Sequence, residues 1–406
     1  MLAKVEGKVV FIAGAIPGEE VKIRITRATS QAAWADVVEV VTPSPDRREP
    51  RCDPTCGGMA YAHIRYERQL RLKGEVIADA LRRIGSISLP APPVVAGSPE
   101  TGYRLRARLH VRRGQVGFFR TGSHDLCEAG PTGQVLPDAL EATKRIVASL
   151  ASRSAECEAV VLTENVAATE RVLHLEPKEG ARLDDLVGRL SLAPTLGGLS
   201  TDRRGRTVAI AGTASVSDTA AQVFGETPPV PGATTWSRQA SSFFQGNRYL
   251  LGGLVSSVLG HARGGRFVDL YAGVGLFAVA LAARGAAGLA VEGDRSSGAD
   301  LDANAAPWRD RLHVVHAPVE IVAAERVDPV PDVVVLDPPR AGVSPDALAG
   351  LLRWNAPRIV YVSCDPPTLA RDARRIVAAG YSLGAVSAFD LFPNTPHVET
   401  VACFDR

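Results

Sequence analysis

No run of apolar residues in this chain is long enough to cross a bilayer, and its start, Met1 to Gly7, lacks the apolar stretch of a secretory leader. Both absences make a cytoplasmic protein with no membrane partner the expectation. A strong charge of either sign is missing too. The net charge is +2 over 406 residues, so composition alone does not announce nucleic acid. Cysteine is scarce, with six in the chain: Cys52, Cys56, Cys127, Cys157, Cys364 and Cys403. In a reducing compartment that speaks against a disulfide framework and leaves metal binding or catalysis to be asked of each. There is no internal repeat and no phosphate-binding P-loop, which argues against use of ATP.

What is present is a chain too long for one ordinary core, with 46% hydrophobic and 22% charged residues, so two or three domains are expected. Residues 1–45 alternate polar and apolar in short stretches such as Glu20 to Ile25, with a turn at Gly14 to Gly18. That pattern predicts a small β-barrel. A proline-rich, charged linker from Thr42 to Pro50 leads into the Cys52 and Cys56 loop. Residues 66–84 read as one amphipathic helix with Leu70, Ile77, Leu81 and Ile84 on its apolar side. Residues 46–235 form the cysteine loop and a mixed α+β central region. A hairpin is expected there from Tyr103 to Phe119, and its arginines 104, 106, 108, 112, 113 and 120 crowd one stretch. Such clusters favour phosphate, although a solvated strand face is the bland alternative. From 236 to 406 strand and helix patterns alternate, which predicts a Rossmann-like, doubly wound parallel sheet. The whole is an α/β protein with two smaller appended parts.

Four segments of the last part carry chemistry. Asp269-Leu270-Tyr271-Ala272-Gly273-Val274-Gly275-Leu276 follows a strand and opens a helix, and glycines there let a ligand approach the backbone. The next strand ends at Glu292, where a carboxylate can accept hydrogen bonds from both ribose hydroxyls of a nucleoside. Glycine for packing is the alternative reading of the turn. An apolar strand stops at Asp337, followed by Pro338, Pro339 and Arg340, which places a carboxylate at the ligand-binding edge of the sheet. Another strand ends in Ser363-Cys364-Asp365-Pro366 at the same edge, so Cys364 is expected to be reachable rather than inert. Last, the irregular loop from Asp390 to Val398 precedes Glu399 and a final strand.

Together these segments resemble the RNA uracil-C5 methyltransferase family, whose members make 5-methyluridine in ribosomal and transfer RNA. Asp337-Pro338-Pro339-Arg340, Ser363-Cys364-Asp365-Pro366 and His397-Val398-Glu399 occur in family order. Upstream, Phe243-Phe244-Gln245-Gly246-Asn247 is similar to the family's cofactor segment, Tyr103 to Leu126 to its central RNA-binding region, and the opening strands to a TRAM domain. The resemblance covers nearly the whole chain. It implies S-adenosylmethionine as cofactor, with contacts at Gln245, Tyr271, Gly273, Gly275, Glu292 and Asp337, and RNA as substrate for a monomer. Leu276 and Pro318 stand where many members carry polar residues, which would weaken cofactor affinity. The TRAM-like part looks one strand short at its start.

The resemblance also reaches the cysteine loop. Cys52, Cys56 and Cys127 match an iron–sulfur loop found in one branch of the family, but Met59 stands where the pattern has a fourth cysteine. A 4Fe-4S cluster needs four thiolates, and a thioether is a much poorer iron ligand. An intact cluster is therefore not expected, and a relic loop kept for packing is the alternative. The implied mechanism is covalent: Cys364 adds to C6 of uracil, C5 is methylated, and Glu399 removes the C5 proton. The target base must leave its stack. Ribosomal RNA, 23S in particular, is favoured over transfer RNA by the barrel and the cysteine loop. Cytosine methylation and amino-group methylation use different motifs. A catalytically decayed RNA-binding relative is opposed by intact Cys364, Asp337 and Glu399.

Overall fold

The computed structural model describes residues 1–5, 7–186, 190–192, 194–204 and 206–406. The first strands, Leu2–Val5, Lys8–Ala13, Glu20–Ala28 and Ala32–Thr42, form a four-stranded sheet in the order first, second, fourth, third. Period-2 alternation puts Val10, Ile12, Ala33 and Ala35 on its inner face with Ala15. The arrangement is that of a small barrel left open between its two edge strands.

The central region is built on a seven-stranded sheet. The expected hairpin is there: Arg106–Arg112 and Gln115–Phe119 pair antiparallel. Arg113 and Gly114 turn between them with φ of 53° and 74°, the two left-handed residues that a tight hairpin turn requires. Arg106–Arg112 also pairs with Cys157–Glu164 at the middle of the sheet.

The reactive segments belong to an eight-stranded sheet. Its order is Leu312–His316, Ala287–Glu292, Arg266–Leu270, Val333–Leu336, Arg358–Ser363, Glu399–Asp405, Ser382–Phe389 and Val95–Ala96. The first five strands are parallel, and Glu399–Asp405 runs antiparallel beside Arg358–Ser363. All four residues of Val333–Leu336 are buried, as expected of a parallel strand covered on both faces. Helices Leu251–His261 and Leu276–Ala283 cover one face. Pro345–Leu352 and Pro366–Ala378 cover the other. No helix among the described residues is long and apolar enough to cross a membrane.

Packing crosses the boundary expected from the sequence near residue 235. The helix Tyr66–Arg83 lies against Pro366–Ala378 and puts Ile77 and Leu81 into the core of the eight-stranded sheet. Val95–Ala96 then adds a short edge strand to that sheet. Ile84, expected on the helix's buried side, is 40% exposed at its C-cap. The strands Ser215–Thr219 and Thr235–Gln239 pair across position 235. A buried ion-pair cluster ties the central sheet to the segment after Gln245: Glu164 accepts from Arg171 on one oxygen and from Arg248 on the other, at 2.5 and 2.6 Å.

Candidate active site

Five strands deliver residues to one cavity of about 550 Å³ at the carboxyl edge of the parallel sheet. Arg266–Leu270 ends at Tyr271, which takes a left-handed φ of 64°. That conformation is uncommon for a bulky residue and marks a functional turn. Gly273 is also left-handed, at φ 56°, and a Cβ placed there meets nothing within 4 Å. Its backbone thus faces open cavity. Glu292, at the end of the neighbouring strand, accepts the Gly273 N–H at 2.7 Å and the Asp294 N–H at 2.6 Å. Each carboxylate oxygen keeps a lone pair for a ligand hydroxyl.

The expectation for Gly275 is corrected. It does not line the cavity. Its φ is 89°, and a Cβ would stand 2.7 Å from Leu301, so glycine serves backbone and packing there. Of the two family departures, Leu276 is buried and lines the cavity, whereas Pro318 is the N-cap of Val319–Ala324 and does not.

Asp337 follows Val333–Leu336 and accepts a hydrogen bond of 3.0 Å from Gln245 Nε2. This joins two expected cofactor contacts that lie far apart in sequence. Burial pushes the Asp337 carboxyl up to about 7, while the Gln245 bond opposes the shift. Glu399, 3% exposed at the start of its strand, is raised well above the ordinary carboxylate range by burial and by the Asp337 charge. Asp269 is fully buried, and among the described residues its carboxyl has no side-chain hydrogen-bond partner and only the Ala278 backbone N–H nearby. Burial and the Asp337 charge raise it as well. A cluster of desolvated carboxyls is unfavourable by itself and suits a cationic ligand.

Cys364 follows Arg358–Ser363 and is half-buried on the same cavity. Burial pushes its thiol up to about 11, with Glu399 adding and Arg340 opposing. The helix Pro366–Ala378 begins two residues later, its first turn capped by Asp365, which accepts the Thr368 N–H at 2.9 Å. Arg340 and His397 face each other at 3.1 Å beside the pocket, and burial together with Arg340 lowers His397 to about 4.

Phe243, Arg106 and Phe392 line the cavity and lay in segments the sequence singled out, without being named as cofactor or catalytic residues. Phe243 is 62% exposed at the cavity while Phe244 is buried. The doublet of aromatics before Gln245 was the available signal. Arg106 comes from the arginine cluster read as a phosphate-binding candidate, and Phe392 from the irregular loop before Glu399. The cavity lining therefore combines carboxylates and glycine backbone with Arg106, Arg340 and an exposed aromatic.

The cysteine loop brings Cys56 and Cys127 together, joined by a disulfide, and leaves Cys52 free. Met59 is fully buried in the same apolar cluster as Cys56 and Cys127. No group of three potential ligand residues occurs among the described residues. A four-thiolate iron–sulfur cluster does not fit this donor set, because the fourth position is a buried thioether. Cys157 and Cys403 are buried core residues.

Residues 329–406 match a family model described as tRNA (Uracil-5-)-methyltransferase, and residues 1–38 match the TRAM domain. The 23S rRNA (uracil(1939)-C(5))-methyltransferase of Methylococcus capsulatus is 33% identical over 100% of this chain and 94% of its own. An uncharacterized RNA methyltransferase of Corynebacterium efficiens is 30% identical, covering 98% of this chain and 90% of the relative. The crystal structure of Pyrococcus abyssi tRNA (uracil-54, C5)-methyltransferase with S-adenosyl-L-homocysteine has the same fold. Its TM-score is 0.75 at 24% identity, covering 97% of this chain and 94% of that one.

Proposed function

The chain belongs to the RNA uracil-C5 methyltransferase family, and from that premise we propose that it methylates a uridine of 23S ribosomal RNA through a covalent Cys364 adduct. The observation that carries the reading is that Cys364, Glu399 and Asp337, from three different strand ends, open onto one cavity. S-adenosylmethionine, the cofactor of this enzyme class, supplies a methyl group on a sulfonium. The Gly273 backbone, Glu292, Gln245, Tyr271 and Asp337 form the part of the cavity suited to it, since ribose hydroxyls meet a carboxylate and the positive charge meets the acidic cluster.

C5 of uracil is a weak nucleophile. When the Cys364 thiolate adds to C6, the C5=C6 electron pair moves onto C5 as an enolate, and C5 takes the methyl group. The Glu399 carboxylate then removes the C5 proton, C5=C6 re-forms, and the thiolate leaves. Arg340 favours the thiolate electrostatically, and the exposed ring of Phe243 offers a stacking face to a nucleotide held out of its helix.

The choice of 23S over transfer RNA rests on the names of the full-length relatives, together with the TRAM match at the start of the chain. Mapping 5-methyluridine in ribosomal and transfer RNA from a strain lacking this gene tests it. Loss of one 23S position, restored by the intact gene but not by Cys364→Ala, is the expected result. Loss confined to transfer RNA would refute the assignment of substrate.

A further inference from the structure

The residues 390–398 form an irregular loop between Ser382–Phe389 and Glu399–Asp405, without a sheet ladder to satisfy its backbone. Its shape is imposed from outside, by side chains from the linker and the helix Tyr66–Arg83. Lys73 and Asp390 are at most 1% exposed; Lys73 Nζ donates to Asp390 Oδ1 at 2.5 Å and to the Phe392 carbonyl at 3.2 Å. Asn394 is buried in a left-handed conformation, φ 65°. Its N–H donates to Gln69 Oε1 at 2.9 Å, and its carbonyl accepts the Tyr61 N–H at 2.8 Å. Its Oδ1 accepts from Gln69 Nε2 at 3.0 Å and from Arg48 Nη2 at 2.9 Å. Five residues further on stands Glu399.

The same helix packs against Pro366–Ala378, the helix that starts just after Cys364. One element thus backs the nucleophile's helix and grips the base's loop. Polar groups this deeply buried add little stability over an apolar filling of the same shape, and their best-attested use is to fix geometry.

We propose that Arg48, Gln69 and Lys73 are positioning residues that set where Glu399 stands relative to Cys364, an inference that rests on reading Glu399 as the base. Loss of the grip slows removal of the C5 proton more than it slows formation of the adduct or binding of the cofactor.

The test is Gln69→Met, which keeps the bulk of the side chain and removes its hydrogen bonds. Asn394→Gly, which keeps the left-handed backbone and removes the side-chain acceptor, is made beside it. Active enzyme is counted by the stoichiometry of S-adenosylmethionine binding, so partial unfolding does not enter the rate. The expected result is kcat per active enzyme lowered roughly ten- to a hundredfold, with the dissociation constant for S-adenosylmethionine within about twofold of wild type. A methylated protein–RNA adduct resistant to denaturing electrophoresis should then accumulate. If one variant fails to fold, the other carries the test. Normal kcat per active enzyme in the variants that fold, with Glu399→Gln still blocked as an adduct, overturns the positioning role alone. Normal turnover by Glu399→Gln overturns the base reading and this inference with it.

Discussion

Cys364 must react as a thiolate, and its surroundings pull in both directions. Burial, Glu399 and Asp337 hold the proton on; Arg340 favours its loss. With a thiol near 11 rather than at the ordinary value near 8.5, only a small thiolate fraction exists at neutral pH, and that fraction grows as pH rises. We therefore expect kcat/KM for RNA to climb about tenfold per pH unit between roughly 8 and 10, because the thiolate is the nucleophile. A plateau already reached at pH 8, in enzyme shown to stay folded by circular dichroism, would contradict this. Glu292 has a different task. Glu292→Ala should weaken S-adenosylmethionine binding by on the order of 1–3 kcal/mol, roughly five- to 150-fold. Calorimetry giving an unchanged affinity would remove Glu292 from the cofactor site. Both residues were legible in the sequence because an apolar strand ended at a reactive side chain. Arg106 and Phe392 were legible only as members of an arginine cluster and an irregular loop, and only the fold brings them to the cavity.

Among the elements, the cysteine loop departs most from its resemblance. The spacing of Cys52, Cys56 and Cys127 suggested ligands, but the fold buries Met59 in an apolar cluster and pairs two of the cysteines. Protein purified without oxygen should accordingly contain little iron, and a chelator should leave its melting temperature unchanged. Close to four irons per chain, a full cluster's complement, with matching visible absorbance would show that the loop opens to hold a cluster. The helix Tyr66–Arg83 teaches a related lesson. Its amphipathic pattern was legible, and Ile77 and Leu81 lie on the buried face as expected. Which core that face would meet was not. Periodicity specifies a face, whereas the partner is set by contacts hundreds of residues away, such as Lys73 with Asp390. Gly275 likewise looked like a ligand glycine, and only the position of Leu301 shows that packing requires it.

At the scale of the molecule, the alternation of strands and helices after residue 236 sufficed to foresee the parallel sheet. How the central region would join that sheet was not legible, because Val95–Ala96 and the pair Ser215–Thr219 with Thr235–Gln239 meet only through the tertiary fold. What the assembled fold achieves is to bring a nucleophile, a base and a cofactor-binding carboxylate from separate strand ends into one cavity. That convergence is the account's central claim, and trapping the intermediate tests it most directly. RNA and S-adenosylmethionine are incubated with Cys364→Ala, with Glu399→Gln and with the double variant, followed by denaturing electrophoresis. Glutamine keeps the shape of glutamate but cannot take the C5 proton. Glu399→Gln should therefore accumulate a covalent, methylated adduct, while the other two show none and all three fail to turn over. Mixing the two single variants should restore nothing, because both residues act within one chain. Normal turnover by Glu399→Gln, or an adduct formed by Cys364→Ala, would contradict the account.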